Sequence, residues 1–145
     1  MKKTYLALVY GAWPIRKLQV NAPLLKNELK SGERVVKVHT DGKESLTRFK
    51  LARQFEGYSL VECEPVTGRT HQIRVHAQYA GYSIVGDEKY ATADELKATK
   101  DLGFKRLCLH ATRLEISLGG EKMLFEAPIE DEWQRLMNDV LVDVF

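Results

Sequence analysis

The sequence predicts an α+β fold with a mixed, largely antiparallel sheet and packed helices. Three observations carry that expectation. Residues 45–55 and 58–64 form two strand-like runs joined at Glu56-Gly57, the pattern of a hairpin. Residues 70–80 and 93–102 carry helical spacing and run into Gly81 and Gly103. Strand-like and helix-like stretches follow one another without regular β-α-β alternation. The 145 residues are 44% hydrophobic and 29% charged, one domain's worth of chain with no dividing linker. A domain of that size buries roughly 70% of the surface its unfolded chain exposes.

Taken in order, residues 4–10 are rich in aromatic and aliphatic side chains and stop at Gly11 and Pro14, which reads as a strand. Met1-Lys2-Lys3 ahead of an apolar stretch resembles a secretory leader. Tyr5, Tyr10 and Trp13 interrupt that stretch, however, and no small-x-small cleavage site follows. A cytoplasmic protein is expected. Residues 18–23 form a short strand candidate, and 24–31 a basic, polar segment ending at Ser31-Gly32. Residues 35–39 read as a strand closed by a turn at Asp41-Gly42. After the hairpin, Pro65-Val66-Thr67-Gly68 is a turn into the first helix. Residues 107–118 and 123–127 read as paired strands across Gly119-Gly120, and 131–140 as an acidic, amphipathic helix.

Composition excludes several classes of protein. Cys63 and Cys108 are too few and too far apart for a disulfide framework or a zinc module, and are expected to be packed thiols. No apolar run approaches the ~18 residues of a membrane span. The net charge of +2 is uneven: residues 1–50 hold eleven Lys or Arg against four Asp or Glu, and the remainder eleven against sixteen. That asymmetry suits an anionic partner for the first half, or a solvated basic face beside an acidic tail. No metal site is expected. His71 and His76 are five residues apart, which turns them roughly 140° from each other on a helix, and the helical zinc pattern needs a spacing of four with a glutamate. No serine occupies a Gly-x-Ser-x-Gly elbow.

The informative stretch is Gly68-Arg69-Thr70-His71-Gln72-Ile73-Arg74-Val75-His76. A glycine turn feeding a helix start leaves backbone N–H groups unpaired, and Arg69 and Thr70 add a guanidinium and a hydroxyl there. His71, Arg74 and Gln78 share one stripe, Ile73, Ala77 and Ala80 another. A base-lined cleft wall and a solvated polar face both fit this pattern.

Pro65-Val66-Thr67-Gly68-Arg69-Thr70-His71-Gln72-Ile73-Arg74-Val75-His76 resembles a hallmark of the ribosomal large-subunit pseudouridine synthases. Lys3-Thr4-Tyr5-Leu6-Ala7-Leu8-Val9 resembles that family's tyrosine-bearing strand. Leu24-Leu25-Lys26-Asn27, Ser31-Gly32-Glu33-Arg34-Val35-Val36 and Thr47-Arg48-Phe49 are similar to its C-type branch, which acts on 23S ribosomal RNA. Ala80-Gly81-Tyr82-Ser83-Ile84-Val85-Gly86-Asp87-Glu88-Lys89-Tyr90 and Arg106-Leu107-Cys108-Leu109-His110-Ala111 extend the match. The resemblance implies conversion of uridine to pseudouridine in RNA with no metal or organic cofactor, on a base flipped into a pocket. It implies that Tyr5 stacks on the target base and that Arg74 pairs with the catalytic aspartate. Leu109 and Ile73 would wall the pocket, and Arg69, Thr70, His71 and Gln72 would meet the RNA.

In that family the catalytic aspartate lies in a His-Arg-Leu-Asp segment ahead of the tyrosine strand, and residues 1–145 contain no such segment. Neither Asp41 nor Asp87 takes its role by resemblance, Asp87 matching a structural position. Residues 1–145 are therefore expected to be the C-terminal portion of a pseudouridine synthase catalytic domain, inactive alone. The catalytic-aspartate segment and an S4-like RNA-binding module lie outside them. Three readings stay open: an enzyme portion, a non-catalytic RNA-binding module, or half of a split enzyme. The strand at residues 4–10 is expected to lack a neighbour, leaving a sheet edge for self-association.

Overall fold

The computed structural model describes residues 1–14 and 16–144. Eight strands and three α-helices follow the chain as β1 (Lys2–Tyr10), β2 (Lys17–Asn21), β3 (Leu24–Glu28), β4 (Arg34–Val38), β5 (Leu46–Phe55), β6 (Tyr58–Pro65), α1 (Gln72–Tyr79), α2 (Ala93–Asp101), β7 (Leu109–Leu118), β8 (Glu121–Glu126) and α3 (Asp131–Arg135). Six strands form one sheet in the order β2-β5-β6-β1-β7-β8, and β3 and β4 form a separate ribbon. Every pairing among them is antiparallel. The α+β class with an antiparallel sheet is therefore what the chain adopts.

The strand at residues 4–10 does not lie at an edge. β1 pairs with β6 on one side and with β7 on the other. Its Ala7, Leu8 and Val9 are wholly buried, as a continuous rather than alternating apolar run requires when both faces are covered. The expected missing neighbour was β7, a strand from the far end of the same chain. The edges belong to β2 and β8 instead.

Two further differences concern the segments around the first helix. Residues 24–31 contain a strand, β3, where only a polar segment was expected; its side chains alternate poorly because a single residue, Leu24, is buried. Helix α1 begins two residues later than the spacing suggests, because His71 takes a left-handed backbone, φ 52° and ψ 23°. The helix also buries more than one stripe. Ile73 and Ala77 join the main core, while Val75 packs with Leu24 and Val36 of the ribbon. A helix held between two sheets needs two apolar faces. At the other end, α3 gives way to a π-helical turn, Leu136–Val140, and Trp133, Leu136 and Met137 are buried. Cys63 and Cys108 are both free and buried, and burial raises both thiols far above their ordinary range. No helix among the described residues is long and apolar enough to cross a membrane.

Candidate active site

A cleft of about 570 Å³ opens where the ends of β1, β6 and β7 meet the start of α1. Its lining includes Tyr5 from β1, Ile73 and Arg74 from α1, and Leu109 from β7. Arg69, His71 and Gln72 border the same cavity. Seven of the eight site residues read from the sequence thus converge, although they come from three separate elements and the loop ahead of α1. Thr70 does not join them. It lies in a neighbouring depression with Lys26, Asp41 and Lys43, and Gly68 and Arg69 form the ridge between the two.

Simple alternation along β1 brings Tyr5 there, with Lys2 and Thr4 on the opposite face bordering a different depression. The register of β1 against β7 shifts between Thr4 and Tyr5, where Thr4 opposes Arg113 but Tyr5 opposes Ala111. The extra residue is Thr112 of β7, so the irregularity bends β7 and leaves the alternation of β1 intact. Lys3, two residues back on the same face, also borders the cleft, as does Leu107. Sequence reading missed both; the period of two along β1 was the available signal for Lys3.

Ile73 is only 6% exposed, and Leu109 packs against the same core, so the apolar wall is continuous with the molecule's interior. The charged lining has one sign. Lys3, Arg69 and Arg74 border the cleft, and no carboxylate does so among the described residues. That field suits a polyanion.

Arg74 is held by a carboxylate of this chain, Asp87. Nε and Nη2 donate to Oδ2 and Oδ1 at 2.9 and 2.7 Å, a bidentate pair. Asp87 is wholly buried, and its Oδ1 also accepts from the backbone N–H groups of Lys89 and Tyr90. It neither borders the cleft nor has a free face, so it is a structural carboxylate. Donating to the Asp87 carboxylate raises the Arg74 pKa above its usual value and keeps the guanidinium charged. The Arg74 guanidinium also lies over the Tyr90 ring, 5.2 Å from its centroid.

Gln72 corrects the expectation that it meets RNA. Its side chain is 4% exposed, and both ends of the amide are committed within the fold. Oε1 accepts from Thr67 Oγ1 at 2.7 Å and from the Arg69 N–H at 3.0 Å. Nε2 donates to the Leu46 carbonyl and to Thr47 Oγ1. Gln72 therefore braces the loop that carries Arg69, and Arg69 itself donates from Nε to the Glu44 carbonyl at 3.1 Å while staying exposed. His71 places Nδ1 2.8 Å from the Tyr90 hydroxyl. Among the described residues no group of three or more His, Cys, Asp or Glu is placed to hold a metal.

Residues 1–79 match the RNA pseudouridylate synthase family. The chain is 48% identical over 142 residues to ribosomal large subunit pseudouridine synthase C of Salmonella typhimurium, a match covering 95% of this chain and 44% of that protein. It is 49% identical over 134 residues to the Yersinia pestis protein of the same name, covering 91% and 42%. Among solved structures, human RNA pseudouridylate synthase domain containing 1 superposes with a TM-score of 0.80 at 25% identity, covering 99% of this chain and 60% of that one. Human RNA pseudouridylate synthase domain containing 4 gives 0.75 at 22% identity over 97% and 62%, which speaks to fold alone. The chain spans less than half the length of these curated relatives.

Proposed function

The chain belongs to the RNA pseudouridylate synthase family, and from that membership we propose that it forms the substrate-facing part of an active site converting uridine to pseudouridine in large-subunit ribosomal RNA. The observation that supports this most is the convergence of Tyr5, Ile73, Arg74 and Leu109 on one cleft whose charged lining is wholly cationic. The reaction is an isomerisation: the N1–C1′ bond of uridine breaks, a C5–C1′ bond forms, and the C5 proton is exchanged for one at N1. It needs no external oxidant or reductant. Tyr5 stacks on the flipped base, Ile73 and Leu109 exclude water from it, Arg69 meets phosphate at the rim, and Thr70 meets phosphate in the neighbouring depression. Keeping the site dry strengthens the Arg74 charge at the reacting sugar. The carboxylate that acts on the sugar comes from outside residues 1–145, and Arg74 has donors left over from Asp87 to meet it. The protein works in the cytoplasm, and the chain by itself associates with a second copy.

Incubation with unmodified large-subunit ribosomal RNA, followed by a chemical assay for pseudouridine, tests the reading. The chain alone should stay at background, and joining it to an upstream segment carrying His-Arg-Leu-Asp should give turnover. Turnover by the chain alone would overturn the external carboxylate. RNA binding without turnover in the joined protein would favour a non-catalytic binding module.

A further inference from the structure

His71 is the one non-glycine residue with positive φ among the described residues. A left-handed backbone is uncommon outside glycine, histidine being one of the few residues that adopt it more readily, and such conformations persist where the surroundings over-determine them. Here the surroundings act through the ring. Val36 N–H donates to the Tyr90 hydroxyl at 3.0 Å, so the phenolic oxygen is an acceptor there. Tyr90 then has its single proton free for His71 Nδ1 at 2.8 Å. The two rings meet edge-on, with centroids 5.7 Å apart. Tyr90 is itself fixed, by its N–H on Asp87 and by the Arg74 guanidinium over its ring. With Nδ1 accepting, the proton of a neutral imidazole sits on Nε2. His71 borders the cleft, and Nε2 has no hydrogen-bond partner among the described residues.

We propose that His71 is a positioning residue for RNA, its Nε2–H oriented by the Val36–Tyr90 relay to donate to an acceptor oxygen of the nucleotide in the cleft. The proposal rests on the RNA reading of that cleft. The acceptor is a base carbonyl or a phosphate oxygen. Burial, together with Arg74, Lys89 and Lys26, lowers the His71 pKa against the opposing pull of Asp87, which keeps the ring neutral. A neutral ring has one donor, and the relay decides where it is.

Nitrogen-detected NMR of the 145-residue chain reads the tautomer directly, with Nε2 protonated and Nδ1 bare as the expected result. Tyr90→Phe removes the relay and should mix the two tautomers. Titration with a stem-loop RNA bearing one unpaired uridine should shift the Nε2–H signal, and His71→Phe should weaken binding about 3- to 10-fold. If phenylalanine is not accepted at the left-handed position, His71→Asn, which tolerates that backbone but is too short to reach, should show the same loss. An abasic ribose in place of the uridine keeps the phosphates. A penalty that persists with it identifies phosphate as the acceptor, and one that disappears identifies the base. An Nδ1-protonated ring, or wild-type affinity in a folded His71 variant, overturns the proposal and leaves the cleft reading standing. Failure of the wild-type chain to bind RNA overturns both.

Discussion

At the scale of single residues, Arg74 shows how much a sequence can state and where it stops. The motif marks Arg74 as an arginine that holds a carboxylate, but the carboxylate it grips in this chain lies thirteen residues away across a loop, and no periodicity points to Asp87. Arg74→Ala would leave Asp87 buried without its cation, which costs ~3–5 kcal/mol. The urea midpoint should fall accordingly, so lost turnover in that variant alone cannot separate catalysis from folding. Arg74→Lys, which keeps the charge but not the fork, should lose less stability. A variant Arg74→Ala as stable as wild type would refute the clamp. His76 carries the second prediction at this scale. It is wholly buried, with Nδ1 at Thr47 Oγ1 and Nε2 at the Ala22 carbonyl, and Gln72 donates to the same Thr47 oxygen. Burial lowers its pKa below the ordinary 6.5, outweighing the Ala22 contact. The unfolded chain therefore binds the proton more readily than the folded one. Stability from this group is complete above pH 6.5 and declines as pH falls toward the folded value, by at most about 1.4 kcal/mol per pH unit. Urea melts between pH 5 and 8 should show that slope, and His76→Gln should flatten it. An unchanged slope in the variant would reject the assignment.

At the scale of elements, burial alone did not decide which strands were readable: β8, exposed throughout, was read beside its glycine turn, and β3, with Leu24 buried, was not. β1, β5, β6 and β7 declare themselves through apolar content and glycine turns, while β3 is defined by its partner β4 and not by its own pattern. The amphipathic reading of α1 named its Ile73 and Ala77 face but not Val75, because the ribbon that covers Val75 was invisible. The loop from Gly81 to Tyr90 matters as much as any helix, since it delivers Asp87 and Tyr90 to the site. Its key position is Gly86, with φ 79°, where a Cβ would collide with the Arg106 carbonyl and the Gly86 N–H donates to the Tyr10 hydroxyl. Gly86→Ala should cost about 2–5 kcal/mol, combining strained backbone with overpacking. Gly57, at the β5–β6 turn, has a similar φ of 76° but open space around it. Gly57→Ala should cost only about 1–2 kcal/mol. Paired chemical denaturation curves decide this, and equal losses would show that the Arg106 contact yields easily.

At the scale of the whole molecule, the sheet order was the least legible feature, because β1 pairs with β7 across a hundred residues of chain and no local pattern records that. The order moves the open edge from β1 to β8, and with it the expected self-association. All six residues of β8 are exposed, including Met123, Leu124 and Phe125 at 41%, 55% and 51%. An apolar edge strand invites another strand. The strand's own sequence argues for a second copy. Antiparallel pairing of two β8 strands about a two-fold axis at Leu124 sets Lys122 opposite Glu126 and Met123 opposite Phe125. Charges then meet their opposites and apolar side chains share a face. Light scattering on the 145-residue chain should show the mass rising from 16.6 kDa toward twice that value with concentration. Leu124→Lys would set two ammonium groups against each other on the axis and hold the chain monomeric. Because Leu124 is already exposed, the fold should lose no more than about 0.5 kcal/mol. A wild-type chain that stays monomeric across the series, or a Leu124→Lys chain that still dimerises, would remove β8 as the contact.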